Sequence, residues 1–114
     1  MATITPTFNK TNNCIIVTWK NMSSADTAIA HAVLSKHVDP CVQFEGTFAG
    51  GTTATMQGSI SGTAYSPCLN SVRAAASATA AALAEITTST PYYKPVVTAG
   101  TGDSVTISLI YWIR

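Results

Sequence analysis

The chain has 114 residues, enough for one domain that buries roughly 60–70% of the surface its unfolded form exposes, with no disulfide or metal required. Charged residues make up 10% of it and apolar ones 46%, with a net charge of +1, against roughly 25% charged in an ordinary soluble domain. This excludes a basic field for nucleic acid and a polybasic strip for a membrane surface, since the six basic residues (Lys10, Lys20, Lys36, Arg73, Lys94 and Arg114) form no run.

In chain order, residues 1–13 are rich in Thr and Asn, with Ile4 and Phe8 as the sizeable apolar residues, and are expected to form an extended arm ahead of a single domain over 14–114. The opening MATITPTFNK has no basic stretch leading into an apolar one, so the expectation is a soluble chain made in the cytosol. CIIVTWK, residues 14–20, is β-branched and aromatic and predicts a strand with Ile15, Val17 and Trp19 on one face. Residues 27–34 predict another strand, and Asp39-Pro40 a turn.

Over residues 41–65 the alternation is clear. Val42, Phe44 and Phe48 share a parity opposite to Gln43, Glu45 and Thr47, and Ala54 and Met56 alternate with Thr53, Thr55 and Gln57. The intervening Ala49-Gly50-Gly51 predicts a hairpin between the two strands. The Ala-rich run 72–85 favours helix by propensity but lacks a bulky apolar stripe, so it predicts irregular chain with at most a short helical turn near 81–85. YYKPVVT, residues 92–98, predicts an edge strand because Pro95 interrupts pairing. A Gly-containing turn, read as a second hairpin, leads into SVTISLIYWIR, where Val105, Ile107, Leu109 and Tyr111 alternate with Thr106, Ser108, Ile110 and Trp112. Short strands separated by frequent turns predict an all-β fold, an antiparallel β-sandwich of jelly-roll type. Val42, Phe44, Phe48, Met56, Val105, Ile107 and Leu109 are its expected core.

Catalytic groups are sparse. Cys41, His37 and Asp39 contain the residue types of a nucleophile triad but crowd into five residues of one loop, where mutual orientation is poor. His31 and His37 lack neighbouring ligands at zinc spacing, and Glu45 and Glu85 are the only glutamates. The glycines of residues 46–51 lack the Lys-Ser/Thr of a phosphate loop. Cys14, Cys41 and Cys68 lie in apolar runs and read as free, small hydrophobes. The expectation is a non-enzymatic protein without metal or cofactor.

The run VQFEGTFAGGTTATMQGSISGTAY, together with ALAEITTSTPYYKPVVTAGTGDSVTISL, resembles a pattern in small structural proteins of tailed bacteriophages. There a strand ending G-T-F-G-G leads to one ending Q-G-S, followed by a turn, a Tyr before a basic-Pro pair, and a T-x-G-x-G turn into the last strand. The resemblance covers residues 42–109. Ser61-Gly62 replaces the usual Asp-Gly, and Lys94 stands where Arg is common. The resemblance implies a β-sandwich virion protein, a capsid decoration (cement) protein on the capsid surface, made in the host cytoplasm. Its implied partners are the major capsid protein and its own copies as a dimer or trimer. A tail or baseplate component is the alternative within virions, and a carbohydrate-binding β-sandwich module the alternative outside them. Low surface charge agrees with a surface covered by neighbours. The residues expected at such contacts are Ile4 and Phe8 of the arm, Tyr92 and Tyr93 at the Pro95 edge, and Ile110 and Trp112, large groups on the face that alternation turns outward.

Overall fold

The computed structural model describes residues 2–33, 37–100 and 102–113, the side chains of residues 37 and 38 excepted. Among the described residues twelve strands follow one another: β1 Thr3–Ile4, β2 Thr7–Thr11, β3 Cys14–Met22, β4 Thr27–Ala28, β5 His31–Ala32, β6 His37–Thr47, β7 Thr53–Ser59, β8 Ser66–Pro67, β9 Ser77–Ala78, β10 Ala82–Glu85, β11 Tyr92–Thr98 and β12 Ser104–Ile113. They form a five-stranded sheet ordered β10-β6-β12-β3-β2 and a second sheet ordered β5-β11-β7-β8, with β9 also on β7. A parallel pair, β1 with β4, stands apart from an otherwise antiparallel arrangement. The protein is an all-β sandwich, as the alternation predicts.

Period-two burial builds the core. Ile15, Val17 and Trp19 from β3, Val42 and Phe44 from β6, and Val105, Ile107, Leu109 and Tyr111 from β12 turn inward from the first sheet. Ala54, Met56, Tyr93 and Val97 meet them from the second. Six of the seven expected core residues are fully buried, and Phe48 packs against the cluster from its rim. Burying such side chains contributes about 1.5–3 kcal/mol each.

Two connections differ from expectation. β6 and β7 do not form a hairpin, because β6 pairs with β12 and β10 whereas β7 pairs with β11, β8 and β9. β11 and β12 likewise belong to different sheets. Each connection instead carries the chain from one sheet to the other, so that the apolar face of β6 and that of β7 meet across the core, as do those of β11 and β12. The crossovers run together at one end of the sandwich, where a Cβ added at Gly100 would strike the Thr52 hydroxyl and the Ala49 carbonyl. The Ser24 N–H and hydroxyl donate to Asp103 Oδ2 (3.1 Å) and the Gly100 carbonyl (3.0 Å), and the Thr52 hydroxyl donates to the Ala49 carbonyl.

The helical turn near 81–85 is also corrected. Residues 82–85 are the strand β10, paired with residues 41–44 of β6, and no helix occurs among the described residues. The exposed edge of β6 offers a row of backbone partners, and satisfying it outweighs the few tenths of a kcal/mol by which Ala prefers helix.

Residues 2–13 are extended but tied to their own domain. β2 forms a hairpin with β3 through Asn12-Asn13, with Asn12 at φ +54°. The Thr27 and Ile29 N–H groups donate to the Ala2 and Ile4 carbonyls (2.9 Å each). The Asp26 carboxylate accepts from the Ser23 and Ala2 N–H groups, contacts that hold its pKa below the usual value. Backbone hydrogen bonding anchors a segment that apolar content alone does not.

Candidate interaction surface

The outward face of the five-stranded sheet follows from its register. One row crosses all five strands: Asn9, Ile16, Ile110, Cys41 and Glu85. The next row towards the end of β12 contains Thr11, Cys14 and Trp112. On the other side lies the row Thr7, Thr18, Ser108, Gln43 and Leu83, in which the Thr18 and Ser108 hydroxyls are 3.3 Å apart. Beyond it Thr106 stands opposite Glu45, and the register shift of β3 that faces Thr106 holds Lys20 and Asn21, whose N–H donates to the Thr106 hydroxyl (3.2 Å). The centre of this face is apolar, with Ile16 40% and Trp112 47% exposed and Ile110, Cys14 and Cys41 half-buried. Lys20, Glu45 and Glu85 are the charged residues on it among the described residues, with Asp39 at its margin in the register shift of β6 beside Cys41.

Of the six residues expected at contacts, this face unites Ile110 and Trp112. Phe8 pairs with Val17 and so lies on the inward side of β2, 57% exposed, its ring centroid 6.0 Å from that of His31 at the open flank of the sandwich. Ile4 is half-buried against the core. Tyr92 is half-buried on the outer face of the second sheet, beside Tyr65, whose ring lies 4.4 Å from Lys94 Nζ. Tyr93 is corrected outright: it is fully buried, its hydroxyl donating to the Thr88 carbonyl (3.0 Å) and accepting from the Thr90 N–H (3.1 Å). Adjacent strand residues point to opposite faces, so the two tyrosines cannot both be surface contacts. Ile16, Cys14 and Cys41 were absent from the expected set, although the inward parity of Ile15 and Val17 already turned Ile16 outward.

The candidate chemical groups lead elsewhere. Cys41 lines a cleft of about 660 Å³ with Asp39, Pro40, Glu85, Ile86, Thr87 and Ser89. Burial, and then the Glu85 carboxylate, push its thiol pKa up, which opposes the thiolate a nucleophile needs. The structure corrects the loop expected there to part of β6, and the His37 side chain on that strand lies outside the described residues. Cys68 is buried with its thiol pKa pushed up to about 12, and all three cysteines are free. No group of three metal-ligating side chains forms among the described residues.

His31 is buried and shares a 2.7 Å hydrogen bond between Nε2 and the Tyr111 hydroxyl. Burial lowers its pKa from 6.5. Below about pH 6.5 the unfolded chain takes up a proton here that the folded protein does not. Stability should therefore fall as pH drops through that value and level off below the depressed folded pKa. Thermal melts from pH 7.5 to 5 should show this fall, and His31→Gln should flatten it relative to His37→Gln; an equal slope in both variants would contradict it.

No family model, curated protein or solved structure matches the chain.

Proposed function

We propose that the protein is a non-enzymatic structural component of a virion, a capsid decoration (cement) protein that binds the shell of the major capsid protein and stabilises the head of a tailed phage. The reading joins the resemblance over residues 42–109 to one structural observation: an exposed sheet face with an apolar centre, a border of Thr, Ser, Asn and Gln with Leu83 at one edge, and little charge. A contiguous apolar patch of that kind marks an interaction site. A protein that binds only the assembled shell stabilises it by mass action, in proportion to occupancy and affinity. Self-association into a dimer or trimer gives each particle more than one attachment point.

The test is electron cryomicroscopy of heads assembled from the phage's major capsid protein with and without this chain. Density at regular lattice positions, with a raised disruption temperature, is expected. Density confined to the tail would move the protein to the tail or baseplate, and no density on the particle would overturn the virion reading. A carbohydrate-binding module remains the second reading, favoured by Tyr65 and Tyr92 lying together beside Lys94, since flat rings with nearby polar groups suit sugar stacking. Glycan binding by the isolated protein, abolished by Tyr92→Ala and Tyr65→Ala, would establish it.

A further inference from the structure

We infer that two copies of the chain associate face to face through the outer surface of the five-stranded sheet, about a two-fold axis along β12, with Lys20 of each copy over Glu45 of the other. The inference deepens the homo-oligomer part of the proposed function and rests on that part alone, not on capsid binding.

Strand order makes the face suited to this operation. β12 is central, with two strands on either side. Rotation about an axis along it exchanges β3 with β6 and β2 with β10 while keeping every row at its own height. Ile110 then meets Ile110, Trp112 meets Trp112 and Ser108 meets Ser108. Ile16 comes over the partner's Cys41, and Thr18 over the partner's Gln43. At the centre of the face apolar groups therefore lie on apolar groups and hydroxyl and amide groups on their like, while at the edge Leu83, 70% exposed, comes over the partner's Thr7.

Charge selects the same arrangement. Lys20, which shares the β3 register shift with Asn21, and Glu45 stand on opposite sides of Thr106, on β3 and β6 respectively. The two-fold sets each against its opposite charge in the other copy, at two corners of the interface. Neither residue has an ion-pair partner among the described residues of its own chain. Glu85 comes over the partner's Asn9, whose amide can donate to it, so no like charges are brought together. The other in-plane axis, perpendicular to the strands, would lay Trp112 on Thr106 and Ile16 on Thr18, and would leave Lys20 and Glu45 without opposite charges.

Dimensions agree. The sixteen outward positions of the four rows, each about 4.8 Å by 6.8 Å, give a footprint of about 500 Å² per copy before side-chain relief, close to the ~600 Å² per partner at which specific interfaces begin. Packed twisted sheets cross at about 30°, and the long Lys20 and Glu45 side chains span the resulting offset at the corners.

The experiment is sedimentation velocity of the purified full chain across a concentration series, with circular dichroism confirming that each variant is folded. The wild type should be a dimer. Lys20→Glu and Glu45→Lys should each raise the dissociation constant at least tenfold, because each places like charges at both corners. The double swap Lys20→Glu/Glu45→Lys should restore wild-type dimerisation, and both single effects should shrink in 0.5 M salt as screening grows. A monomeric wild type would overturn the dimer together with the homo-oligomer reading. A wild-type oligomer indifferent to the single changes, or a double swap that fails to restore it, would overturn this interface while leaving self-association by another surface.

Discussion

Phe44→Ala lowers the stability of the folded protein by about 3–5 kcal/mol, the cost of removing a buried aromatic ring and leaving part of its volume empty. Phe44 is fully buried on β6, with Ala82 opposite it on one neighbouring strand and Ile107 on the other. Small Ala82 cannot fill the gap, and Ile107 is held in register by the central strand. Domains of this size hold about 5–15 kcal/mol in total, so the thermal midpoint should drop by at least 10 °C at roughly 4 °C per kcal/mol. A melting curve followed by circular dichroism measures this directly. A wild-type-like midpoint would mean that β6 does not present Phe44 to the core.

Gly46→Ala should be nearly as costly, for a reason unrelated to burial. Gly46 has φ +122°, a conformation that residues with a side chain rarely adopt, and a Cβ there would collide with the Ser104 carbonyl and lie 3.2 Å from Val105 Cα. Both are backbone atoms of β12, which pairs with β6 through Val105 and Gly46 themselves, so relief requires breaking the ladder at the centre of the sheet. Backbone strain and overpacking together amount to about 2–5 kcal/mol. Gly51 supplies the comparison, since it has φ +81° but nothing within 4 Å of an added Cβ. Gly51→Ala should cost only about 1–2 kcal/mol. Equal denaturation midpoints for the two variants would show that the β12 backbone yields.

Much of the fold was legible because strand alternation reports burial directly. Val42 and Phe44, or Val105 through Tyr111, declare an inward face whichever strands lie beside them. What alternation does not carry is partnership. A Gly-rich connection at residues 49–51 serves a hairpin within one sheet or a crossing between two, and the chain crosses here because β6 pairs with β12 and β7 with β11, partners far away in the sequence. β10 was hidden because Ala declares no face, and its strand conformation comes from the open edge of β6. The surface was half legible. Ile110 and Trp112 stood out as large groups on an outward parity, whereas Ile16, Cys14 and Cys41 join them only once β3 and β6 are known to flank β12. Aromatic character marks Tyr92 and Tyr93 alike, and only the alternation of β11 turns Tyr93 inward.

The placement of β12 between β3 and β6 also governs when the protein can fold. A ribosome delivers β3 and β6 long before the strand that separates them, and until residues 104–113 emerge the five-stranded sheet has no centre. Early segments can pair locally, β2 with β3 and later β7 with β11, but they hold an uncovered apolar face while they wait. Such closure over long sequence separations is slow and leaves intermediates prone to aggregation. Any nascent chain released before residue 104 lacks the strand on which both halves of that sheet depend, and truncation there should yield insoluble product rather than a smaller folded one.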